Sequence, residues 1–559
     1  MGVFKYRPRM VHTGLMLASM RIAAPRFNMV LPLRDLSKGW VDYRRQLPIH
    51  SLTQGLLLQT LHPILMKKQV TFKPFRLSPV DHSLPKVYIF KSLYFRGVDD
   101  TGSLSRLQDG IDRLISCLPF LSGEVVPCAD IPDKVGVLQV QMPCPSLQEI
   151  PMLLVKSYPN HTWPAASTSE RWRNTALLDQ SYRPLPDFIP PSKPRPVLRF
   201  QANFLADGLM LCMGYNHSVF DGTGAGNILE MLADCCRANP NSILALPTNG
   251  DIESELRGLL SSPGVAVANA SQEAYAINCA HTEVEPEPSS AVLYCWPFLL
   301  SSEKIECLQE ACNSLLPHIV RLYSGTQSSL INQDTNWPHI LSSNDVLTAL
   351  LAVSIEKARE ATGALGHMSR SLAMAVNLRE RLKPMPRHYL GNLVTTVWVS
   401  HHRPAVKDLE TMVLPVPACN RHEIDRDDLL WITHVAFRIR LGLNAINEEH
   451  IRGLIHYLHS QDDWEQIGIH FTDPIFISSW RHLKVYELDF GPTIGHAEHF
   501  EMDVGTTDGV CVVMPANTRA VGKTKKAPWD IRIVLNPEVL QALIASAIFG
   551  WAMVKDAST

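Results

Sequence analysis

The sequence lacks most of the marks by which a protein announces its chemistry. Charged residues occupy only 19% of its 559 positions, and 52 Lys and Arg almost cancel 54 Asp and Glu, for a formal net charge of −2. That balance supplies no basic face to neutralise a phosphate backbone, which argues against a nucleic-acid partner. The 12 cysteines contain no C-x-x-C pair: Cys235 and Cys236 are adjacent, and Cys307 and Cys312 are five apart. Neither a zinc ribbon nor a redox dithiol is suggested, and the thiols read as reduced and mostly buried, as in a cytoplasmic protein. No run reaches the roughly 18 uninterrupted apolar residues of a membrane span. There is no G-x-S-x-G elbow to carry a serine nucleophile. Gly222, Gly224 and Gly226 read G-x-G-x-G, not the dinucleotide pattern G-x-G-x-x-G. No internal repeat is visible.

What remains is a chain that is 46% hydrophobic and too long for one ordinary core, so two or more domains are expected. The first 34 residues carry six Lys or Arg and no Asp or Glu, as a weak transit peptide would. Residues 1–70 are nevertheless expected to be a disordered N-terminal extension. From Leu77 onward, strand and helix signals alternate. Residues 86–95 are rich in β-branched and aromatic side chains, and 103–117 place Leu104, Leu107, Ile111, Leu114 and Ile115 at helical spacing. Residues 197–204 and 208–214 read as two strands around Ala206-Asp207-Gly208, with a helix from about 226 to 237. Between 246 and 290 the pattern dissolves into Ser, Pro, Asn and Glu, which predicts a crossover linker. Further helices are predicted at 303–316, 346–359 and 448–459, and strands at 474–479 and 509–514. Val539 to Val554 is the most apolar stretch. Asn536-Pro537 before it supplies a cap and a first-turn proline, so a buried C-terminal helix is expected rather than a tail anchor. The fold class is α/β or α+β in two domains.

One corner stands out. The sequence Gly214-Tyr-Asn-His217-Ser-Val-Phe-Asp221-Gly222-Thr-Gly224 lies between a buried apolar strand and a helix. A histidine and a carboxylate four apart at a glycine-rich turn can form a general base on a fixed loop. The H-x-x-x-D pattern is weak alone and recurs at His459/Asp463 and His499/Asp503. His459 ends an amphipathic helix, where it suits the helix C-terminus, and His499 lies in a polar run, so both read as structural or solvent-facing. Only His217 follows a strand and precedes Asp-Gly. Asp221 has a plain role as helix N-cap beside any part in catalysis.

Several ordered motifs together resemble the BAHD family of plant and fungal acyl-CoA-dependent acyltransferases, in particular the fungal secondary-metabolite branch with the trichothecene O-acetyltransferases. His217-Ser-Val-Phe-Asp221-Gly222 matches the family's H-x-x-x-D-G, and Asp489-Phe490-Gly491 the start of its D-F-G-W-G. Ser343-Asn-Asp-Val-Leu-Thr-Ala349, Val376-Asn-Leu-Arg379-Glu-Arg381, Gly391-Asn392 and Ser478-Ser479-Trp480 resemble intervening family segments. The resemblance spans about residue 75 to 545. It implies two chloramphenicol-acetyltransferase-like domains, 71–245 with the histidine motif and 291–559 with the D-F-G motif, and an active-site channel at their interface. It also implies a monomer that needs no metal and no bound cofactor, with acyl-CoA, acetyl-CoA by default, as co-substrate and a hydroxylated small molecule as acceptor.

Under this resemblance His217 is the general base, and Asp221 and Gly222 hold its loop, Asp221 by pairing with an arginine. Asp489, Gly491 and Arg379 form a structural motif, with Arg379 expected to pair with Asp489. The family's D-F-G-W-G tryptophan is replaced here by Pro492, which brings no N–H. That leaves Asn392 and Thr493 as candidates for positioning substrate or stabilising the oxyanion. Transfer to an amine, a non-catalytic binding homologue and a condensation domain are the alternatives. Asn216, where a condensation domain normally has a second histidine, speaks against the last.

Overall fold

The computed structural model describes residues 71–559 except 130, 132, 164–179, 239–245, 262–292, 326–336, 365–369, 404–423, 469–474, 506, 522–525 and 555–559. The expected extension at 1–70 and most of the expected linker lie outside the described residues. Two larger sheets organise the described chain, each with a hydrophobic core.

The first half runs β1 (Phe75–Arg76), α1 (Pro79–His82), β2 (Tyr88–Arg96), α2 (Ser103–Cys117), β3 (Glu124–Pro127), β4 (Leu138–Gln141), β5 (Leu153–Tyr158), β6 (Leu198–Leu205), β7 (Gly208–Asn216), α3 (Gly222–Arg237) and α4 (Gly250–Ser261). The second contains β8 (Tyr294–Leu300), α5 (Ser302–Gly325), α6 (Ser343–Thr362), β9 (Ser371–Asn377), β10 (Val394–Ser400), α7 (Arg426–Ala445), α8 (Glu448–Ser460), β11 (Ile475–Ser479), β12 (His499–Met502), β13 (Val510–Val513), β14 (Trp529–Leu535), α9 (Pro537–Ala545) and α10 (Ala547–Ala552). The first sheet has the order β12-β2-β7-β6-β5, the second β10-β9-β11-β13-β14-β8, and β1-β4-β3 form a small third sheet.

Strand β7 is buried along its whole length, which explains its near-continuous apolar sequence. It pairs antiparallel with β2 from Tyr88↔Asn216 to Arg96↔Gly208. One face of this pair, carrying Leu93, Phe95, Leu211 and Met213, packs with Ile111 and Leu114 of α2 and Ile228 and Leu232 of α3. The second core centres on α6, whose Val346, Leu350 and Val353 are wholly buried. A capping box starts α6: Ser342 Oγ accepts from Asp345 N, and Asp345 accepts from Ser342 N at 2.7 Å. The helix continues the Ser343-Asn-Asp motif as predicted.

Two expectations change. The span expected as a linker begins with α4, a helix whose Glu253 and Arg257 are buried. Its polar composition hid this, because those charges face partners inside the protein. The D-F-G segment, assigned to the C-terminal domain, packs on the first sheet. The Phe490 ring meets Phe95 edge-on at 5.2 Å, and β12 pairs with β2 through Phe500↔Leu93. The chain thus crosses back to complete the first core.

Among the described residues no single helix is long and apolar enough to cross a membrane; α7 and α8 pass such a test only jointly, bent by 74° at their junction. The apolar C-terminus forms α9 and α10, with Val539, Leu540, Leu543 and Phe549 buried in the second core, as expected. Truncating Phe490 to Ala should destabilise the protein by about 3–5 kcal/mol, read as a lower denaturant midpoint with the slope unchanged.

Candidate active site

His217 sits one residue past the end of β7, where its backbone N–H donates to Val87 O at 2.9 Å. The ring is half-buried. Its Nδ1 lies 2.9 Å from Phe220 O. A carbonyl can only accept, so Nδ1 carries the proton and Nε2 keeps its lone pair. Burial lowers the pKa of this imidazole, against the opposing pull of the Phe220 carbonyl and the Asp221 carboxylate. The neutral tautomer with an open Nε2 is the form a general base requires.

Asp221 points away from this chemistry. It is the N-cap of α3, its Oδ1 accepting from Gly224 N at 2.8 Å. Arg379 clamps the same carboxylate with two bonds, Nη1 to Oδ2 at 2.9 Å and Nη2 to Oδ1 at 3.0 Å. Leu393 N supplies the fourth, to Oδ2 at 2.9 Å. Burial alone would raise Asp221, but Arg379 together with the Gly224 and Leu393 amides more than offsets it and holds the carboxyl below its ordinary value. Arg379 also reaches Tyr389 O and Gly391 O, at 2.9 and 2.7 Å. Arg379 is thus the arginine bonded to Asp221.

This corrects the partner assigned to Asp489. Arg379 is saturated at Asp221, whereas Asp489 is half-buried and its Oδ1 accepts from Gly491 N at 2.9 Å. It closes a turn in which Gly491 (φ +90°) and Gly495 (φ +75°) take left-handed conformations suited to glycine. The earlier expectation failed because one arginine and two carboxylates far apart in sequence leave the pairing open.

A second ion pair, between residues that carried no motif, braces the loop from the other side. Arg257 of α4 donates to Asp81 Oδ2 at 2.6 Å and to Val219 O at 2.7 Å. Burial would lower this guanidinium, but Asp81, with Tyr389 and Glu253, reverses the effect and holds its pKa up. Asn392 N and Nδ2 donate to Asp81 Oδ1 at 3.0 and 2.9 Å, and Nδ2 also donates to His217 O at 3.0 Å. Asn392 is therefore a strut behind His217: both hydrogens of its amide are used, which leaves none for an oxyanion. Glu253 completes the ring by accepting from Leu390 N at 3.1 Å. The sequence signal for Asp81 was Ser78-Pro79-Val80-Asp81, a capping box with first-turn proline at α1. Nothing local marked Arg257.

Gly222 and Gly224 let these parts close up. A Cβ on Gly224 would sit 1.9 Å from Leu390 O, and one on Gly222 would sit 2.7 Å from the Trp480 ring. Thr493, the other oxyanion candidate, is exposed and belongs to the turn that packs near Phe95 and Gly102. Phe95 pairs with Leu209, near the start of β7 and eight residues before His217, which follows the end of that strand. At about 3.3 Å per residue that is about 26 Å, so Thr493 lies at the opposite end of the sheet from the base.

The two look-alike pairs also stay structural. His459 lies in the last turn of α8 against Trp464, and His499 stacks on Trp163 with ring centroids 5.6 Å apart. Asp503 pairs with Arg183 at 3.0 Å. No metal-ligating cluster of three occurs among the described residues.

The transferase family model matches residues 184–544, and the trichothecene 3-O-acetyltransferase-like N-terminal domain model matches 88–236. The chain belongs to the BAHD acyltransferases. Among its relatives, communesin N16 acyltransferase cnsK of Penicillium expansum is 34% identical, covering 88% of this chain and 100% of that protein. Fumigaclavine B O-acetyltransferase ifgI of Penicillium roqueforti is 32% identical over 86% of this chain and 98% of its own. The acyltransferase shares its fold with F. sporotrichioides TRI101, solved with coenzyme A and T-2, at a TM-score of 0.60 and 20% identity over 86% of this chain and 98% of that one. Vinorine synthase aligns at a TM-score of 0.50 with 14% identity, over 87% of this chain and 95% of that one.

Replacing Arg379 by Met should cost about 3–5 kcal/mol, because the buried Asp221 carboxylate loses its partner. The expected readout is a large drop in melting temperature or in soluble yield. Thr493→Ala, by contrast, should leave the acyl-transfer rate unchanged.

Proposed function

We propose that this acyltransferase moves an acyl group, acetyl by default, from acyl-CoA directly to a hydroxyl of a small fungal secondary metabolite, with His217 as general base. The observation that carries the reading is the Nδ1–Phe220 O contact, which leaves Nε2 unprotonated on a half-buried, near-neutral ring. A hydroxyl at Nε2 gives up its proton as its oxygen attacks the thioester carbonyl. The tetrahedral adduct then expels the CoA thiolate, which takes the same proton back from the imidazolium. No acyl-enzyme is needed, and no metal or resident cofactor enters the scheme.

The names of the relatives support the substrate class: O-acetyltransferases from several fungi stand beside ifgI, and TRI101 was solved with coenzyme A and a mycotoxin. The reading places acyl-CoA and acceptor in a channel between two domains, where the His217 loop meets Asn392 and Leu393 from the second half of the chain. It also takes the protein as a cytoplasmic monomer. Transfer to nitrogen is the second reading. It is favoured by the similarity to cnsK, an N16 acyltransferase by name, and it would use the same base.

Acetyl-CoA incubated with a panel of alcohols and amines, followed by mass spectrometry, separates the two acceptors. His217→Ala should abolish CoA release while the protein stays folded by circular dichroism; full activity in that variant would sink the assignment. Because the pKa of His217 is lowered, the neutral base should persist below the ordinary histidine value of about 6.5. The kcat/KM profile should therefore be flat near neutrality and fall only as pH drops through that lowered value.

A further inference from the structure

Behind the catalytic loop lies a buried cation that the mechanism above does not use. Lys91 of β2 is 1% exposed. It sits opposite Met213 in the β2–β7 register, and its Nζ reaches past Tyr215 to donate to Gly222 O at 2.8 Å. The ammonium stands 4.2 Å from the centre of the Trp480 ring and 5.5 Å from that of Tyr215. Trp480 comes from the end of β11 in the other sheet, where its Nε1 donates to Ser478 Oγ at 2.8 Å and its ring lies against Gly222. The Asp221 carboxylate is nearby, but its four bonds go to Arg379, Gly224 and Leu393. Lys91 is thus held by one carbonyl and two aromatic faces. A buried ammonium in that setting is costly to keep unless it does something an apolar residue could not.

Resting on the acyl-transfer reading above, we propose that Lys91 is a positioning residue of the site: it ties the first carbonyl of α3 to the Trp480 indole of the facing sheet and sets the charge behind His217. The groups around His217 are few. Tyr215 and Asp221 flank it on its own segment, Lys91 faces it from β2, and Arg379 stands beyond Asp221. Asp81 and Arg257 act through Asn392 and the Val219 carbonyl. Asp221 with Arg379, and Asp81 with Arg257, are neutral as pairs. Lys91 is bonded by no carboxylate, and it adds to burial in opposing protonation of the imidazole, against the pull of the Phe220 carbonyl and Asp221. Burial lowers the pKa of Lys91 itself, and Asp221 works against that. The indole contact adds direction: fixing Trp480 over Gly222 fixes the start of α3, and with it the turn that aims His217.

The test compares Lys91→Met, Lys91→Gln and Lys91→Arg with the parent enzyme, using CoA release from acetyl-CoA with water as acceptor, from about pH 5 to about pH 9. Gln keeps a donor for Gly222 O without the charge, Arg keeps the charge, and Met keeps neither. Met and Gln should move the acid limb of kcat/KM upward, because the imidazolium then loses one of the two influences that oppose it, with burial left. Arg should leave the limb in place. Superimposable profiles for all four proteins would overturn the proposal. So would a loss of rate in Met and Gln that merely tracks a lost folded fraction, with the limb unmoved. Failure of the base assignment itself shows separately, as His217→Ala retaining the parent rate.

Discussion

The site depends on taking two guanidinium–carboxylate pairs out of water and spending them on backbone. Asp221–Arg379 and Asp81–Arg257 flank the five residues from His217 to Asp221, one at the end of the loop and one behind it. Desolvating four charges is expensive and is offset where their lone pairs and N–H groups find partners, as all but Arg257 Nε of the named groups do. Here the partners are the chain itself: Gly224 and Leu393 amides, Tyr389, Gly391 and Val219 carbonyls. Such a network is stable in one arrangement and penalised in its neighbours. It acts as a clamp on loop geometry more than as a source of net stability.

The clamp also explains the division of labour inside H-x-x-x-D. A carboxylate that accepts four hydrogen bonds has no lone pair left for the imidazole, so the histidine takes its orientation from Phe220 O instead. The base is left neutral, its pKa lowered chiefly by burial and held up in part by the Phe220 carbonyl and the Asp221 carboxylate. The far D-F-G turn belongs to a different task. It plugs the first core from the C-terminal side and keeps the crossing chain in register with β2.

Much of this was legible in the primary structure, and the reasons differ by element. Strand β7 and helices α2, α6 and α8 were predicted because their apolar residues recur at one period over many turns. His217 was separable from His459 and His499 because a buried strand precedes it and glycines follow it. The family was readable from several motifs in order. Other features had no local signature. Helix α4 looked like linker because Glu253 and Arg257 are polar in sequence and buried in space. Lys91 looked like an ordinary charge within a strand.

Composition and periodicity were enough to point to a mixed α/β fold in two domains, and the ordered motifs to a resemblance to acyltransferases and to its histidine, since those depend on residues close together in the chain. The pairing of charges was decided by tertiary structure alone. Asp221, Arg379, Asp81, Arg257 and Asn392 are separated by up to 311 positions, and any of several pairings would satisfy the same composition. Only packing brings one set within hydrogen-bond distance, because the desolvation cost of a buried charge is met solely where its partners already stand.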